Sequence, residues 1–92
     1  MNSILITGGC GYIGSHACLT LLQEGYNIVV IDSLINSSEE PLKRIEKMYD
    51  KKKFNNKLFF MRGDIRNISF LDKVFQNQKE IKFPIRSVIH FA

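Results

Sequence analysis

The chain has 92 residues, 45% of them hydrophobic and 24% charged, which suits one small globular domain and excludes a disordered polar segment. Its net charge of +4 is due largely to Lys51–Lys53, a run beside asparagines that is typical of a solvated loop, so we expect no nucleic-acid partner. No apolar run approaches the roughly 20 residues of a membrane span and no signal peptide opens the chain, so we expect a cytoplasmic protein with no membrane association.

The first predicted strand is Ser3–Thr7, a short β-rich apolar run bounded by glycine. A glycine loop, Gly8–Gly14, follows it and leads into a helical pattern. Gly25 stands where a helix needs a left-handed stop. The predicted apolar face of this first helix consists of Ile13, Ala17, Leu21 and Leu22.

The second predicted strand is Ile28–Ile31, and Asp32 ends it. Ser37 or Ser38 can cap a second helix that tolerates Pro41 in its first turn. The apolar stripe of this helix consists of Leu42, Ile45, Met48 and Tyr49.

Leu58–Met61 is the third predicted strand. A third helix follows, with Asn67 or Ser69 as its cap, and Pro84 prevents its continuation. Val88–Phe91 is the fourth predicted strand. Aromatic residues at core spacings are Phe59, Phe60, Phe70 and Phe75.

This alternation of strands and crossover helices predicts an α/β fold with a doubly wound parallel sheet, the Rossmann architecture, in the strand order 3-2-1-4. The fourth strand is then an edge, although its apolar sequence suits an interior position. The chain also stops within or just after that strand. We therefore expect residues 1–92 to be the N-terminal portion of a longer domain.

The strongest functional signal is the spacing of Gly8, Gly11 and Gly14 between a strand and a helix. In such a loop one glycine makes the tight turn, one lets backbone amides approach a pyrophosphate, and the third permits close helix packing. Asp32, eighteen residues past Gly14, is placed to accept hydrogen bonds from an adenosine ribose and to repel a 2′-phosphate. The pattern predicts an NAD site rather than an NADP site. Asp64, which closes the third strand, is either an adenine contact or a helix-entry residue.

The cysteines and histidines predict no metal site. Cys10 and Cys18 fit no metal or redox spacing, and we expect small buried thiols. Cys10 lies near a positive helix start, which leaves a redox-sensitive thiolate there as an alternative. His16, at the start of the first helix, and His90, inside a buried strand, are expected to be packing or hydrogen-bonding residues.

Several segments resemble the UDP-glucose 4-epimerases, within the extended short-chain dehydrogenase/reductase superfamily. Thr7–His16 (TGGCGYIGSH) is similar to the family's TGGxGYIGSH opening, and Asp32–Ser37 to its DNLxNS loop, with Ser33 in place of the commoner asparagine. Gly63–Arg66 is similar to its GDIR segment, and Val88–Ala92 to its VIHFA segment. The resemblance covers essentially the whole chain.

The resemblance implies contacts with NAD for residues in each of these segments. Tyr12 and Ile13 would lie along the diphosphate, with Gly8, Gly11 and Gly14 beneath it. The adenosine ribose would be held by Asp32, Ser33, Leu34, Ile35, Asn36 and Ser37. Asp64 and Ile65 would flank the adenine, and Phe91 and Ala92 would begin the wall beside the middle of the cofactor.

The resemblance also implies an activity: interconversion of UDP-glucose and UDP-galactose through a transient 4-keto sugar, in a homodimer when the chain is full length. The family's catalytic Tyr-x-x-x-Lys motif and most of its UDP-sugar site would fall after Ala92. We therefore expect no catalytic residue and no activity in this chain alone. Two alternatives remain, namely another NAD-dependent nucleotide-sugar epimerase or dehydratase, and a non-catalytic module that binds or senses NAD.

Overall fold

A computed structural model describes residues 2–34, 40–48 and 57–91 of the chain. Strands and helices alternate along it, and all seven elements predicted from the sequence are present. In chain order they are β1 (Ser3–Thr7), α1 (Tyr12–Gln23), β2 (Asn27–Asp32), α2 (Glu40–Met48), β3 (Leu58–Arg62), α3 (Ile68–Glu80) and β4 (Ile85–His90).

The four strands form one parallel sheet in the order β3-β2-β1-β4, which confirms the predicted fold class and strand order. The central strand β2 pairs with β1 through partners such as Ile6 and Val30. On its other side, Val30 pairs with Phe60 of β3. Because β1 and β2 are interior strands, they need apolar side chains on both faces, which explains their unbroken hydrophobic runs.

Each face of the sheet carries its own hydrophobic cluster. On one face, Cys18 and Leu22 of α1 and Ile45 of α2 pack with Ile6 and Val30 in what we call the α1–α2 core cluster. On the other face, α3 contributes Val74, which packs with Leu5, Val29 and Ile31. The sheet is therefore covered on both sides, as a doubly wound fold requires.

The helix ends follow the signals in the sequence where these lie in the described ranges. Gly25 has φ of +94°, and its N–H donates to the Leu22 carbonyl at 3.0 Å. The Tyr26 N–H donates to the Leu21 carbonyl at 3.1 Å, which completes a Schellman motif. Asn67, not Ser69, caps α3 by accepting from the Phe70 N–H at 3.1 Å. The predicted caps Ser37 and Ser38 lie outside the described residues, as does Tyr49.

Two predicted core residues are instead exposed. Ile13 is 66% exposed because α1 faces the sheet through Gly14, Ser15, Cys18 and Leu22. Successive helix positions lie about 100° apart, so Ile13 projects to one side of that face. Phe75 is 41% exposed because α3 meets the sheet through Val74 and Gln78.

Strand β4 is longer than predicted and begins earlier. The prediction of Val88–Phe91 was wrong at both ends, since pairing starts directly after Pro84, whose carbonyl accepts from the Ser3 N–H at 2.8 Å. The irregularity between Ser3 and Ile4 leaves Arg86 as an extra residue on β4. An edge strand admits such polar residues, and it leaves His90 exposed rather than buried as predicted.

Candidate functional site

The glycine loop connects β1 to α1 at the carboxyl edge of the sheet. Gly8 has φ of +71°, a left-handed conformation that glycine adopts without strain, and its N–H donates to the Ile31 carbonyl at 2.9 Å. The first bond of the helical ladder runs from the Ser15 N–H to the Gly11 carbonyl at 2.8 Å. The amides just before Ser15 therefore precede the ladder, and no side chain caps the helix. Such a helix start offers the backbone donors that bind phosphate groups.

Three glycines at the carboxyl edge of the sheet have no room for a side chain. A Cβ atom on Gly14 would overlap the Gly8 carbonyl oxygen, so this glycine permits the loop to close on itself. A Cβ atom on Gly9 would lie 2.6 Å from Val30 Cγ1, and one on Gly63 would overlap the ring of Phe70. The sequence alone predicts no role for Gly9 or Gly63, because their need for glycine depends on which side chain lies opposite. A Cβ atom on Gly11, by contrast, would approach only the Gly8 carbonyl oxygen, at 3.4 Å.

Asp32 ends β2 and makes contact with two loops at once. Its Oδ2 accepts from the Cys10 N–H of the glycine loop at 3.0 Å, and its Oδ1 accepts from the Leu34 N–H at 2.9 Å. Leu34 has φ of +62°, which costs a non-glycine residue roughly 1–2 kcal/mol. The bond to Oδ1 and the packing of the Leu34 side chain on the α1–α2 core cluster hold this conformation.

A cleft of about 240 Å³ opens between the ends of β2 and β3 and brings together five of the predicted site residues, Gly8, Asp32, Ser33, Asp64 and Ile65. Ile31, Gly63 and Arg66 complete its lining. The carboxylates of Asp32, at the end of β2, and Asp64, two residues after β3, therefore line a partly apolar cleft beside the glycine loop. Such a site, at the carboxyl ends of parallel strands, is where doubly wound folds bind nucleotides.

The carboxylate of Asp64 is engaged by Arg66. The Arg66 Nη2 donates to Asp64 Oδ2 at 2.7 Å, and the Arg66 N–H donates to Asp64 Oδ1 at 2.9 Å. Hydrogen bonds from the Arg66 side chain lower the pKa of Asp64 to about 2. This pair was not predicted, although the i, i+2 spacing of an acid and an arginine is visible in the sequence.

The remaining predicted site residues within the described ranges do not line the cleft. Tyr12 is 81% exposed and stacks edge-on against His16, with ring centroids 4.7 Å apart, beside a second cavity between α1 and α2. The backbone N–H groups of Tyr12 and Ile13 lie at the start of α1, next to the glycine loop. The Phe91 N–H donates to the Thr7 carbonyl at 2.9 Å, next to the start of the loop. Ile35, Asn36, Ser37 and Ala92 lie outside the described residues.

Both thiols are buried. Cys18 has no exposed surface, and burial raises its pKa to about 12. Cys10 is 2% exposed and belongs to the α1–α2 core cluster, which makes access by an oxidant difficult.

The residue just before the glycine loop also makes a side-chain contact. Thr7 Oγ1 is hydrogen-bonded to His90 Nδ1, between the neighbouring strands β1 and β4.

The spacing Tyr-x-x-x-Lys occurs once in the chain, at Tyr49 and Lys53, although the catalytic motif was expected only after Ala92. The lysine run Lys51–Lys53 makes a match by chance easy, and these residues lie outside the described ranges. The spacing therefore assigns no catalytic role, and the absence of catalytic residues stays a prediction.

Within the described ranges, no three histidine, cysteine or acidic residues are grouped so that they could hold a metal ion. In the same part of the chain, no helix has the length and apolar character needed to cross a membrane.

The chain is similar to known nucleotide-sugar enzymes. Residues 5–92 match the family model described as GDP-mannose 4,6 dehydratase. A UDP-glucose 4-epimerase of Yersinia enterocolitica is 52% identical over 90 residues, which are 98% of this chain and 24% of that protein. A UDP-glucose 4-epimerase of Schizosaccharomyces pombe is 47% identical over 91 residues, 99% of this chain and 23% of that protein.

A solved structure is similar as well. The UDP-glucose-4-epimerase of Stenotrophomonas maltophila, crystallised with NAD and formylated UDP-arabinopyranose, superimposes with a TM-score of 0.80 at 37% identity. The alignment covers 98% of this chain and 24% of that structure. The chain thus spans about a quarter of the length of the relatives it matches. By its match to the family model over residues 5–92, the chain belongs to the GDP-mannose 4,6 dehydratase family, and the relatives it resembles are UDP-glucose 4-epimerases.

Proposed function

We propose that this chain supplies the adenosine-diphosphate half of an NAD site in a UDP-glucose 4-epimerase. The observation that carries the proposal is the placement of Asp32 at the mouth of the β2–β3 cleft, bonded to the glycine loop through the Cys10 amide. A carboxylate at the end of the second strand suits the ribose hydroxyls of NAD and repels the 2′-phosphate of NADP.

The residues present fit a dinucleotide. Gly8, Gly11 and Gly14 would carry the diphosphate, since the loop leaves no room for a Cβ on Gly14 and its helix start offers backbone donors. The ribose would lie against Asp32 and Ser33, with the adenine between Ile65 and the Asp64–Arg66 pair. Bound NAD would serve the reaction as a reversible hydride acceptor.

Solution NMR on the 92-residue chain tests this assignment. Titration with millimolar NAD should shift the amide resonances of the glycine loop, Ser33, Leu34 and Ile65. NADP at the same concentration should shift them far less, because Asp32 repels its extra phosphate. Shifts confined to other residues, or no shifts at about 10 mM NAD, well above the Kd of even a weak site, would remove the support for the site. Equal responses to NAD and NADP would remove the role given to Asp32.

The activity of the whole protein is a separate part of the proposal, because the chain spans about a quarter of its relatives' length. We would capture the native protein from its source cells, measure its intact mass and assay it with UDP-galactose. A mass far above 10.6 kDa together with formation of UDP-glucose is the expected result. A native mass of 10.6 kDa would instead favour a non-catalytic NAD-binding module.

A nucleotide-sugar dehydratase is the second candidate, and the description of the matching family model favours it. The two reactions differ in their mass balance. An epimerase returns an isomer of its substrate, whereas a dehydratase returns a product lighter by one water. Mass spectrometry of the products from UDP-sugars, GDP-mannose and dTDP-glucose therefore distinguishes them.

A further inference from the structure

Asp32 connects two segments that are far apart in the sequence. Its Oδ2 accepts from the Cys10 amide, twenty-two positions earlier, and its Oδ1 accepts from the Leu34 amide, two positions later. One carboxylate thus joins the glycine loop to the turn that follows β2. Hydrogen bonds to an ionised acceptor are stronger than those between neutral groups, so this pair of contacts is a firm link.

Both bonded residues are also anchored from the opposite side. The Cys10 side chain is 2% exposed and sits in the α1–α2 core cluster, and the Leu34 side chain packs against the same cluster. The two amides are therefore held between a packed core and a carboxylate. Loss of the carboxylate would release the amide side of both loops while leaving the core side in place.

From this geometry we propose that Asp32 is a positioning residue, which assembles the phosphate-binding loop and the ribose-side turn before any nucleotide arrives. The proposal rests on the function proposed above and adds a role that does not require contact with the ribose. A site whose loops are held in the bound conformation loses less conformational entropy on binding. The two roles are compatible, because an ionised carboxylate has about four acceptor sites and the two backbone bonds use two of them.

The substitutions Asp32→Asn and Asp32→Ala separate the two links. Asparagine keeps one acceptor oxygen, and the NH2 group that replaces the other oxygen cannot accept from a backbone N–H, so only one of the two loops can stay bonded. Alanine releases both. Asp72→Asn is the matched control, since it removes one negative charge from an exposed position on α3.

Amide hydrogen exchange of the nucleotide-free chain is the first measurement. We expect exchange of one of the two amides, of Cys10 or Leu34, to accelerate by about tenfold or more in Asp32→Asn, and of both in Asp32→Ala, in line with the loss of a charge-assisted bond. The amides of Ile6 and Val30 in the sheet should keep their protection, as should all four amides in Asp72→Asn. Unchanged exchange at both Cys10 and Leu34 in Asp32→Ala would overturn the proposal. Equal acceleration at all four amides in Asp32→Asn would also overturn it, because Asp32 would then act on global stability.

Nucleotide affinity is the second measurement, because a substitution that affected only the structure of the free chain would not change it. The probes are ADP and 2′,3′-dideoxyadenosine diphosphate, which lacks the hydroxyl groups that the carboxylate would accept from. If Asp32 also positions the glycine loop, Asp32→Asn lowers the affinity for the dideoxy nucleotide by about three- to tenfold, as expected for one lost hydrogen bond. If Asp32 acts only on the ribose, this affinity does not change, and the proposal fails.

The two proposals fail in distinguishable ways. Failure of the wild-type chain to bind ADP or NAD would contradict the proposed function, while the exchange rates of the nucleotide-free chain would still decide whether Asp32 holds the loops. Binding of ADP with no effect of Asp32→Asn on the dideoxy nucleotide would contradict only the positioning role.

Discussion

At the residue scale, the glycines of the loop differ in what they exclude. Gly14 faces the backbone of Gly8 and Gly9, which cannot rotate away as a side chain can. Gly11 has only the Gly8 carbonyl oxygen nearby, at ordinary contact distance for a Cβ atom. The same substitution therefore has different consequences three positions apart.

The substitution Gly14→Ala should lower the free energy of unfolding by roughly 1–3 kcal/mol, because the added methyl group forces the loop apart. The free energy of unfolding of the matched variant Gly11→Ala should stay within about 0.5 kcal/mol of the wild-type value. Urea denaturation followed by circular dichroism measures both. Equal stabilities of the two variants would show that the close approach at Gly14 is relieved at no cost.

The Asp64–Arg66 pair predicts an unusual titration. In the folded chain the pKa of Asp64 is lowered to about 2 from the ordinary 3.8, chiefly by side-chain hydrogen bonds from Arg66. Because the folded pKa lies below the ordinary one, the pair stabilises the fold above about pH 4, and this contribution disappears as the pH falls toward 2. The pair is exposed, so its effect on stability is small.

Carbon-detected NMR of the Asp64 carboxyl group should give a midpoint near 2, and Arg66→Gln should return it toward 3.8. A wild-type midpoint near 3.8 for Asp64 would mean that the pair does not persist in solution.

Residue-scale features were the hardest to predict from the sequence. The spacing of Gly8, Gly11 and Gly14 and the distance to Asp32 were visible because a fixed loop geometry fixes them. The need for glycine at positions 9 and 63 was not visible, because it arises from contacts with Val30 and Phe70, which lie far away in the sequence. The two amides bonded to Asp32 were hidden for the same reason.

At the scale of elements, all seven were predictable, but their edges and faces were less so. The runs that became β1 and β2 are apolar because both faces of these strands are buried. Arg86 and Ser87 obscured the start of β4, since an edge strand tolerates polar residues that an interior strand excludes. The face of α1 was misassigned at Ile13 because small residues, Gly14 and Ser15, meet the sheet and carry little hydrophobic signal.

The Schellman motif at the end of α1 yields a prediction at this scale. Gly25 has φ of +94° and nothing within 4 Å of a Cβ atom, so a substitution there acts on backbone conformation alone. Gly25→Ala should lower the free energy of unfolding by about 1 kcal/mol. Gly25→Asn should cost less, because asparagine tolerates the left-handed region. Thermal unfolding of the pair measures the difference, and an equal loss in both variants would contradict a purely conformational cause.

At the scale of the whole molecule, the buried thiol of Cys18 reports on global unfolding. Burial raises its pKa to about 12 from 9.0, so the folded chain holds an unreactive, protonated thiol. The stability should therefore decline as the pH rises from about 9 toward 12, where the unfolded chain ionises and the folded chain does not. Iodoacetamide labelling of Cys18, located by peptide mapping, should proceed only at the rate of unfolding. Rapid labelling in native buffer at pH 8 would contradict the burial.

The covered sheet ends at β4, whose Val88 is 56% exposed. In the proposed enzyme, the described residues would form one wall of the nucleotide site, from the glycine loop to Ile65, but would not supply the contacts to the nicotinamide. We therefore expect the 92-residue chain to bind NAD only weakly. Calorimetry with a Kd below about 1 µM, equivalent to roughly −8.2 kcal/mol, would contradict this expectation.

The most direct test of the central claim compares the two halves of the dinucleotide. The 92-residue chain is titrated separately with NAD, ADP and nicotinamide mononucleotide, and the amide resonances of Gly11, Gly14, Leu34 and Ile65 are followed. If the chain carries the adenosine-diphosphate half of the site, ADP and NAD shift the same resonances with affinities within about threefold of each other, a difference below about 0.7 kcal/mol. Nicotinamide mononucleotide then shifts none of them. A response to nicotinamide mononucleotide as strong as that to ADP, or no response of these amides to ADP, would contradict the assignment.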